Sequence, residues 1–286
     1  MLTDATRENL RRKSGYIDIV HIYDGLPIFS WIDINTTELC NRKCVFCPRI
    51  EEIVYPNQHL HMDVELAQKI AAQLEELQYK GVVVFSGYSE PTLCPNFEEI
   101  VAAFSKTIRL ELVTNGDTLT VRRIIALKEA GIDFFGVSLY DGPEQIDHFK
   151  QLFTQAGLTT DNYILRDRWH TAEDGFGLKL TNRAGTVSVG MQSEADINHP
   201  CYYTAYSLTV DWNGDVLLCM QDWHKKVKFG NINTSLLISI WKSRALNRYR
   251  QKLLNGSRDC SPCRLCNTDG TLHGHTHAEV WRPLMK

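Results

Sequence analysis

Apolar positions in the first half of this chain follow two alternating rhythms. Residues 63–80 (DVELAQKIAAQLEELQYK) space their apolar side chains as one helix face does, with charges on the other face, and Gly81 stands where a C-cap would fall. VVVFSG then reads as a buried strand, followed by a turn and a helix near 96–106. The pattern repeats with a strand at 109–114, a helix at 118–130, Gly131, a strand at 132–139 and a helix from about 143. Upstream, FSWIDIN (29–35) reads as a strand leading into a cysteine group. Strands alternating with helices imply parallel pairing through right-handed crossovers. A full or partial β/α barrel fits, with its chemistry at the C-terminal ends of the strands.

The rhythm fades after about residue 160. YSLTVDWNGDVLLC (206–219) reads as a β-hairpin about Asn213-Gly214, a strong turn signal. A helix is expected at 235–254, followed by a cysteine-rich tail. The expected division is an N-terminal extension (1–28), the barrel (29–190), and a small C-terminal domain with its tail (191–286).

At 286 residues and 43% hydrophobic, one main domain with a small appendage is the natural expectation. A net charge of −3 gives no basic footprint for nucleic acid. No apolar run approaches the roughly 18–20 residues that span a bilayer, so no membrane partner is expected. The N-terminus lacks the apolar core of a signal peptide, which points to the cytoplasm. In such a compartment nine cysteines indicate metal or redox chemistry more than disulfides. Eight of them fall in two groups, and Cys94 alone stands apart, as a small buried hydrophobe would.

The first group, Cys40, Cys44 and Cys47, has the spacing C-x3-C-x2-C. Three thiolates on one loop can hold three irons of a 4Fe–4S cube and leave the fourth without a protein ligand. The alternative is structural zinc, which wants four ligands; none lies within the motif, although His59 and His61 are not far away. The second group is Cys201, Cys219 eighteen positions later, and Cys260-x2-Cys263-x2-Cys266. Four of these thiolates suit a closed iron–sulfur site, and a zinc knot has similar spacing.

With the loops that follow it, the first motif resembles the radical S-adenosylmethionine (SAM) superfamily. In that family the open iron chelates SAM, and reductive cleavage yields a 5′-deoxyadenosyl radical that takes a hydrogen atom from substrate. The resemblance places Phe46 near the adenine. It puts Gly87, Ser89 and Glu90 of the loop Ser86-Gly87-Tyr88-Ser89-Glu90-Pro91 at the SAM amino group, with Tyr88-Ser89 standing where the family has a second glycine. Asn115 of Thr114-Asn115-Gly116 falls at the ribose, and Ser138 is a further polar contact. Residues 195–270 resemble the SPASM/twitch extension of the same family, with phrases such as Asp211-Trp212-Asn213-Gly214. Five cysteines suffice for one auxiliary 4Fe–4S cluster, for which the resemblance selects Cys201, Cys219, Cys263 and Cys266 and leaves Cys260 spare. The implied fold is α/β, a partial (β/α)6 TIM-like barrel with a small C-terminal twitch domain.

LKLTNRAG (178–185) further resembles the aminocyclitol dehydrogenases of this family and makes Arg183 a substrate-facing residue. The resemblance implies hydrogen abstraction from a hydroxyl-bearing carbon of a sugar or aminocyclitol, giving a ketone with the auxiliary cluster as electron acceptor. A flavodoxin or ferredoxin would supply the electron. An epimerase, with Cys260 returning a hydrogen atom, is the second branch, and a peptide-modifying SPASM enzyme the third. Tyr88 and Tyr140 lie at strand ends, where they could face substrate or pack. His273, His275 and His277 (HGHTH) read as a solvated tail segment that covers the cluster.

Overall fold

The computed structural model describes residues 3–104, 106–190 and 193–285. In chain order the elements that matter are α1 (Asp4–Ile17), β1 (Trp31–Ile34), α2 (Val64–Glu76), β2 (Val82–Phe85), α3 (Phe97–Ala102), β3 (Arg109–Thr114), α4 (Val121–Ala130), β4 (Ile132–Leu139), α5 (Glu144–Gln155), β5 (Tyr163–Asp167), β6 (Ser207–Val210), β7 (Asp215–Leu217) and β8 (Lys228–Asn231). One sheet runs in the order β8-β7-β6-β1-β2-β3-β4-β5. From β6 to β5 every neighbour pairs parallel; β7 and β8 add an antiparallel meander at one edge. Six parallel strands with helices after β1 to β4 make the expected partial barrel.

Packing explains the register. Ile32 and Ile34, Val83 and Phe85, Leu110 and Leu112, and Phe135 and Val137 are buried in one apolar cluster with Leu66, Ile70, Ile124, Leu127 and Phe153 of the surrounding helices. Each such side chain contributes about 1.5–3 kcal/mol when removed from water. A one-residue slip would send these side chains to the opposite face. The other face carries Asp33, Glu111, Ser138 and Arg166, so the inside of the barrel is polar.

Several local expectations shift. The helix expected over 63–80 ends at Glu76, and Gln78 takes the left-handed turn at φ 48°. The buried Leu77 and Tyr79 pull the chain back onto the core. Gly81 is not the cap: a Cβ there would lie 2.3 Å from the Ser30 carbonyl oxygen, so its role is close backbone approach. The helix expected over 235–254 divides into Leu237–Trp241 and Arg244–Leu254, because Ser243 caps the second by accepting from Leu246 N at 3.2 Å. β5 lies where the rhythm was expected to fade. The first arm of the expected hairpin is β6, which joins the barrel beside β1. The sheet therefore runs on across the expected division near residue 190, and positions 191 and 192 lie outside the described residues.

The N-terminal extension belongs to the barrel. Thr3 Oγ1 donates to Asp167 Oδ1 at 2.6 Å and Thr6 Oγ1 to the Gly177 carbonyl at 2.6 Å, fixing the start of α1 on β5. Arg12 donates to Glu111 Oε2 at 2.9 Å, and the Lys13 ammonium stands 4.8 Å from the Trp31 ring centre. At the other end Ser30 Oγ donates to the Ile17 carbonyl at 2.7 Å. α1 thus covers the seam of the open barrel. No described helix is long and apolar enough to cross a membrane.

The HGHTH segment is not a solvated tail. His277 is fully buried in the helix His275–Trp281, and Ser14 Oγ lies 2.8 Å from His273 Nδ1; of the three histidines only His275 is exposed. Trp281, buried beside Trp241, draws this helix into the core.

Burial lowers the His277 pKa to about 4. Below the unfolded value near 6.5 the unfolded chain takes up a proton that the folded chain accepts only near pH 4, so stability falls as pH drops through that window. Unfolding free energy is expected to fall by roughly 2 kcal/mol from pH 7 to pH 5 through this group. Denaturant titrations of wild type beside His277→Phe check this: the variant should lose much of the pH dependence, and an unchanged slope would refute the assignment.

Candidate active site

The loops after β1 to β4 meet in a cavity of about 270 Å³ at the C-terminal end of the parallel sheet. Every residue expected at the cofactor lines it: Cys40, Cys44, Cys47, Phe46, Gly87, Ser89, Glu90, Asn115 and Ser138. Arg183 lines it too.

The cysteine loop has little regular structure and is held by polar struts. Arg42 forks onto two strand-end carboxylates, with contacts of 2.6–2.7 Å to Asp117 and 2.6–2.7 Å to Asp141. Asn41 Nδ2 donates to Asp117 Oδ2 at 2.7 Å, and Asn115 Nδ2 to Asn41 Oδ1 at 2.7 Å. On the other side Asn57 Oδ1 accepts from Cys40 N at 2.8 Å. Arg49 pairs with Glu38 at 2.9 Å and donates to the Tyr88 carbonyl.

The second loop is built on Asn35, at the end of β1. Asn35 Oδ1 accepts from Ser89 Oγ at 2.7 Å and from Tyr88 N at 3.3 Å, and Asn35 Nδ2 donates to Asp211 Oδ1 at 2.8 Å. Gly87 has φ +139°, and a Cβ on it would meet the Asn35 side chain at 2.9 Å. Only glycine satisfies both conditions. Glu90 is buried, which raises its pKa, while four donors hold its carboxylate: Thr92 N, Thr92 Oγ1, Thr114 Oγ1 and Asn115 N, at 2.7–3.2 Å. Glu90 thereby fastens the loop after β2 to the end of β3.

Phe46 lies 5.0 Å from the Phe176 ring and 6.2 Å from that of Tyr140. Ser138 Oγ accepts from Arg166 at 2.7 Å. Arg166 and Arg168 also line the cavity, as do Tyr88, Tyr140 and Trp223. The two arginines were missed in the sequence. Their only local signal is the alternation of RDR in 166–168, which becomes meaningful once β5 is known to be a barrel strand.

Burial disfavours the thiolate form of the first three cysteines. Burial pushes Cys40 up to about 11 and Cys44 up to about 12, and raises Cys47. Among the described residues no three His, Cys, Asp or Glu side chains converge on a single-ion position. Cys40, Cys44 and Cys47 line one cavity, and a 4Fe–4S cube takes each thiolate on its own iron.

Cys201, Cys219, Cys263 and Cys266 line a separate small cavity with Tyr203 and Arg258. Arg258, buried and overlooked in the sequence, donates to the carbonyls of His199, Pro200, Thr268 and Asp269 at 2.6–2.7 Å. This draws the segment leading into Cys201 onto the Cys266 turn. Cys260 lines neither cavity; its thiol lies against that of Cys263. Cys94 is buried in the core, as expected.

Arg183 stands at the junction. It lines the cofactor cavity and also a second cavity of about 490 Å³ with Thr181, Tyr203 and Gln221. Arg183 and Ala184 both hold positive φ, 47° and 53°. Asn182 N donates to Asn267 Oδ1 at 2.8 Å, Asn267 N to Asn182 Oδ1 at 3.2 Å, and Asn182 Nδ2 to the Leu265 carbonyl at 2.7 Å. The strained loop is therefore stitched to the C-terminal cysteine segment.

The family described as the radical SAM superfamily matches residues 34–164, and the SPASM iron–sulfur cluster-binding domain matches residues 201–267. The chain belongs to the radical SAM superfamily and carries a SPASM domain. It is an enzyme that uses SAM and 4Fe–4S clusters. It is 30% identical, over 84% of its length and 93% of the relative's, to the S-adenosyl-L-methionine-dependent 2-deoxy-scyllo-inosamine dehydrogenase of Niallia circulans. The crystal structure of BtrN in complex with AdoMet and 2-DOIA is similar over 87% of this chain and 98% of that one, with TM-score 0.71 and 27% identity. Native anSMEcpe with bound AdoMet shares the fold, with TM-score 0.54 and 14% identity over 89% of this chain and 98% of that one.

Two variants test this geometry. Gly87→Ala should weaken SAM binding about ten-fold or more by calorimetry while cluster iron is retained, since the strain is confined to the second loop. Arg42→Ala should cut iron at the first site to about half or less, with Arg42→Lys intermediate, because lysine cannot fork onto two carboxylates. Full iron content in Arg42→Ala would show the loop to be self-supporting.

Proposed function

We propose that this enzyme oxidises a hydroxyl-bearing carbon of a sugar or aminocyclitol to a ketone. When bound, SAM and the first cluster would supply radical hydrogen-abstraction chemistry, and the auxiliary cluster would supply an acceptor for the remaining electron. Cys40, Cys44 and Cys47 would hold the first cluster, and Cys201, Cys219, Cys263 and Cys266 the second. Gly87, Ser89 and Glu90 would receive the SAM amino group, Asn115 the ribose, Phe46 the adenine, and Ser138 with Arg166 the remaining polar edge. Arg183 would orient the substrate.

The observation that carries the reading is the position of Arg183. Its side chain lines the cofactor cavity, while its loop is hydrogen-bonded to the cysteine segment 263–267. Substrate held there lies between the two thiol groups, as electron transfer to an auxiliary cluster requires. Epimerisation needs a hydrogen-donating thiol in the cavity. Among the described residues the thiols lining it are the three of the C-x3-C-x2-C motif, and Cys260 is not one of them. The likeness to an inosamine dehydrogenase over most of both chains favours oxidation independently.

In this reading residues 1–28 cover the barrel seam, 29–190 with β6 build the cofactor cavity, and the remainder carries the auxiliary site. The chain would work in the cytoplasm, with a flavodoxin or ferredoxin as electron donor.

The test uses anaerobically reconstituted enzyme. Iron content should be about eight per chain, falling to about four in the Cys40/Cys44/Cys47→Ala variant. Incubation with SAM, reductant and a panel of polyols should give one 5′-deoxyadenosine per product two mass units lighter than substrate. A product of unchanged mass that gains one deuterium in heavy water would instead establish epimerisation.

A further inference from the structure

The charge lining the cofactor cavity is one-sided. Five guanidiniums face it, from Arg42, Arg49, Arg166, Arg168 and Arg183, against one carboxylate, Glu90, and the three cluster-binding thiols. Arg42 is committed to Asp117 and Asp141, and Arg49 to Glu38. The other three have no carboxylate within salt-bridge distance among the described residues. Arg166 Nη2 donates to Ser138 Oγ and the Gly136 carbonyl, and its Nε is buried without a partner. Arg168 Nη1 donates to Thr6 Oγ1 and to the carbonyls of Asp167 and Gly177. Neighbouring Asp167 pairs instead with His170 at 2.9 Å. Glu90 cannot balance them, because its oxygens already accept four hydrogen bonds.

Burial of like charges this close is unfavourable. Burial, and then the proximity of Arg166, push the Arg168 pKa down to about 9, and burial lowers that of Arg166. The cofactors would relieve this only in part: an oxidised 4Fe–4S core on three thiolates carries about one net negative charge, and SAM, with one carboxylate against one ammonium and one sulfonium, offsets it. Arg166 is already engaged by Ser138 and the Gly136 carbonyl. Arg168 and Arg183 are left.

Both are held by independent anchors. Arg168 is fixed by Thr6 of α1 and by the Gly177 carbonyl. Arg183 is fixed by a loop kept at positive φ by the Asn182–Asn267 pair. Non-glycine residues hold such conformations only where surrounding structure over-determines them, and the strain concentrates at ligand clamps. A neutral polyol would leave both guanidiniums without an anion, that of Arg168 largely withdrawn from water.

We propose that the substrate carries an anionic substituent, a phosphate or a carboxylate, on its polyol ring, and that Arg168 and Arg183 clamp it. This rests on the radical-oxidation reading of the same cavity and narrows its substrate class. Guanidinium pairs match the planar carboxylate and the phosphate edge bidentately.

Calorimetry on the full-length reconstituted enzyme, with SAM bound and clusters oxidised so that no turnover occurs, tests the proposal. Glucose 6-phosphate, glucuronate, inorganic phosphate, glucose and glucosamine serve as probes. Glucose 6-phosphate or glucuronate should bind about ten-fold or more tightly than glucose or glucosamine. Whichever of the two binds more tightly identifies phosphate or carboxylate, and binding of inorganic phosphate separates an anion subsite from ring recognition. Arg168→Gln and Arg183→Gln should each remove most of that preference while SAM affinity stays within about two-fold. Equal binding of anionic and neutral probes, including no measurable binding of either, overturns the proposal. So does loss of SAM affinity in both variants, which would assign those guanidiniums to the cofactor. Turnover separates the two readings. Tight anion binding without any ketone product defeats the oxidation reading alone. Oxidation of an uncharged polyol without anion preference defeats the anionic substrate alone.

Discussion

The arrangement depends on one problem: three thiols must be held in place on a loop that has almost no secondary structure of its own. The molecule solves it by anchoring that loop to strand ends. Arg42 is the main anchor, because one planar guanidinium can reach Asp117 after β3 and Asp141 after β4 at once. Hydrogen bonds from charged donors to charged acceptors are shorter and stronger than neutral ones, and two forks fix orientation as well as distance. Asp141 is more than half exposed, so the clamp gains as much from geometry as from Coulomb attraction. The rigid parallel sheet lends its order to the loop through these contacts.

The same sheet has a polar interior, which an open barrel must shield. Helix α1 performs that task. Its Thr3, Thr6 and Arg12 satisfy Asp167, Gly177 and Glu111, and Thr6 also receives Arg168. An N-terminal segment that lines neither thiol cavity thereby sets the position of a cavity arginine. The auxiliary site is ordered in a comparable way. Arg258 collects four backbone carbonyls, and the reciprocal Asn182–Asn267 bonds tie the result to Arg183. Each cavity is thus supported by side chains that join segments distant in the chain.

Much of this was legible locally. The 3.6-residue and buried-strand rhythms located α2 to α5 and β1 to β4 to within a few residues, since each depends on its own run of side chains. The thiol spacing of Cys40, Cys44 and Cys47, and the SGYSEP and TNG loops, identified a family whose comparisons agree over most of the chain. β5 escaped notice because its inward face carries Arg166, with Arg168 just beyond it, where a buried strand normally shows apolar residues. The burial of His277 escaped because the alternation of HGHTH says nothing of Trp281, further along the same helix, which pulls it inward.

By itself the sequence determined what depends on near neighbours: the cluster-binding spacing, the order of strands and helices, and the glycine that opens the loop after β2. The tertiary structure alone decided what depends on remote partners. It placed β6 beside β1, pairing Leu208 with Ile32 from the other end of the chain and completing the parallel order. It separated Cys260 from the cofactor cavity and brought Arg166, Arg168 and Arg183 to that one space. The reason is physical: periodicity and spacing report the first few neighbours of a residue, whereas charge balance and burial are set by atoms that meet only when distant strands pair.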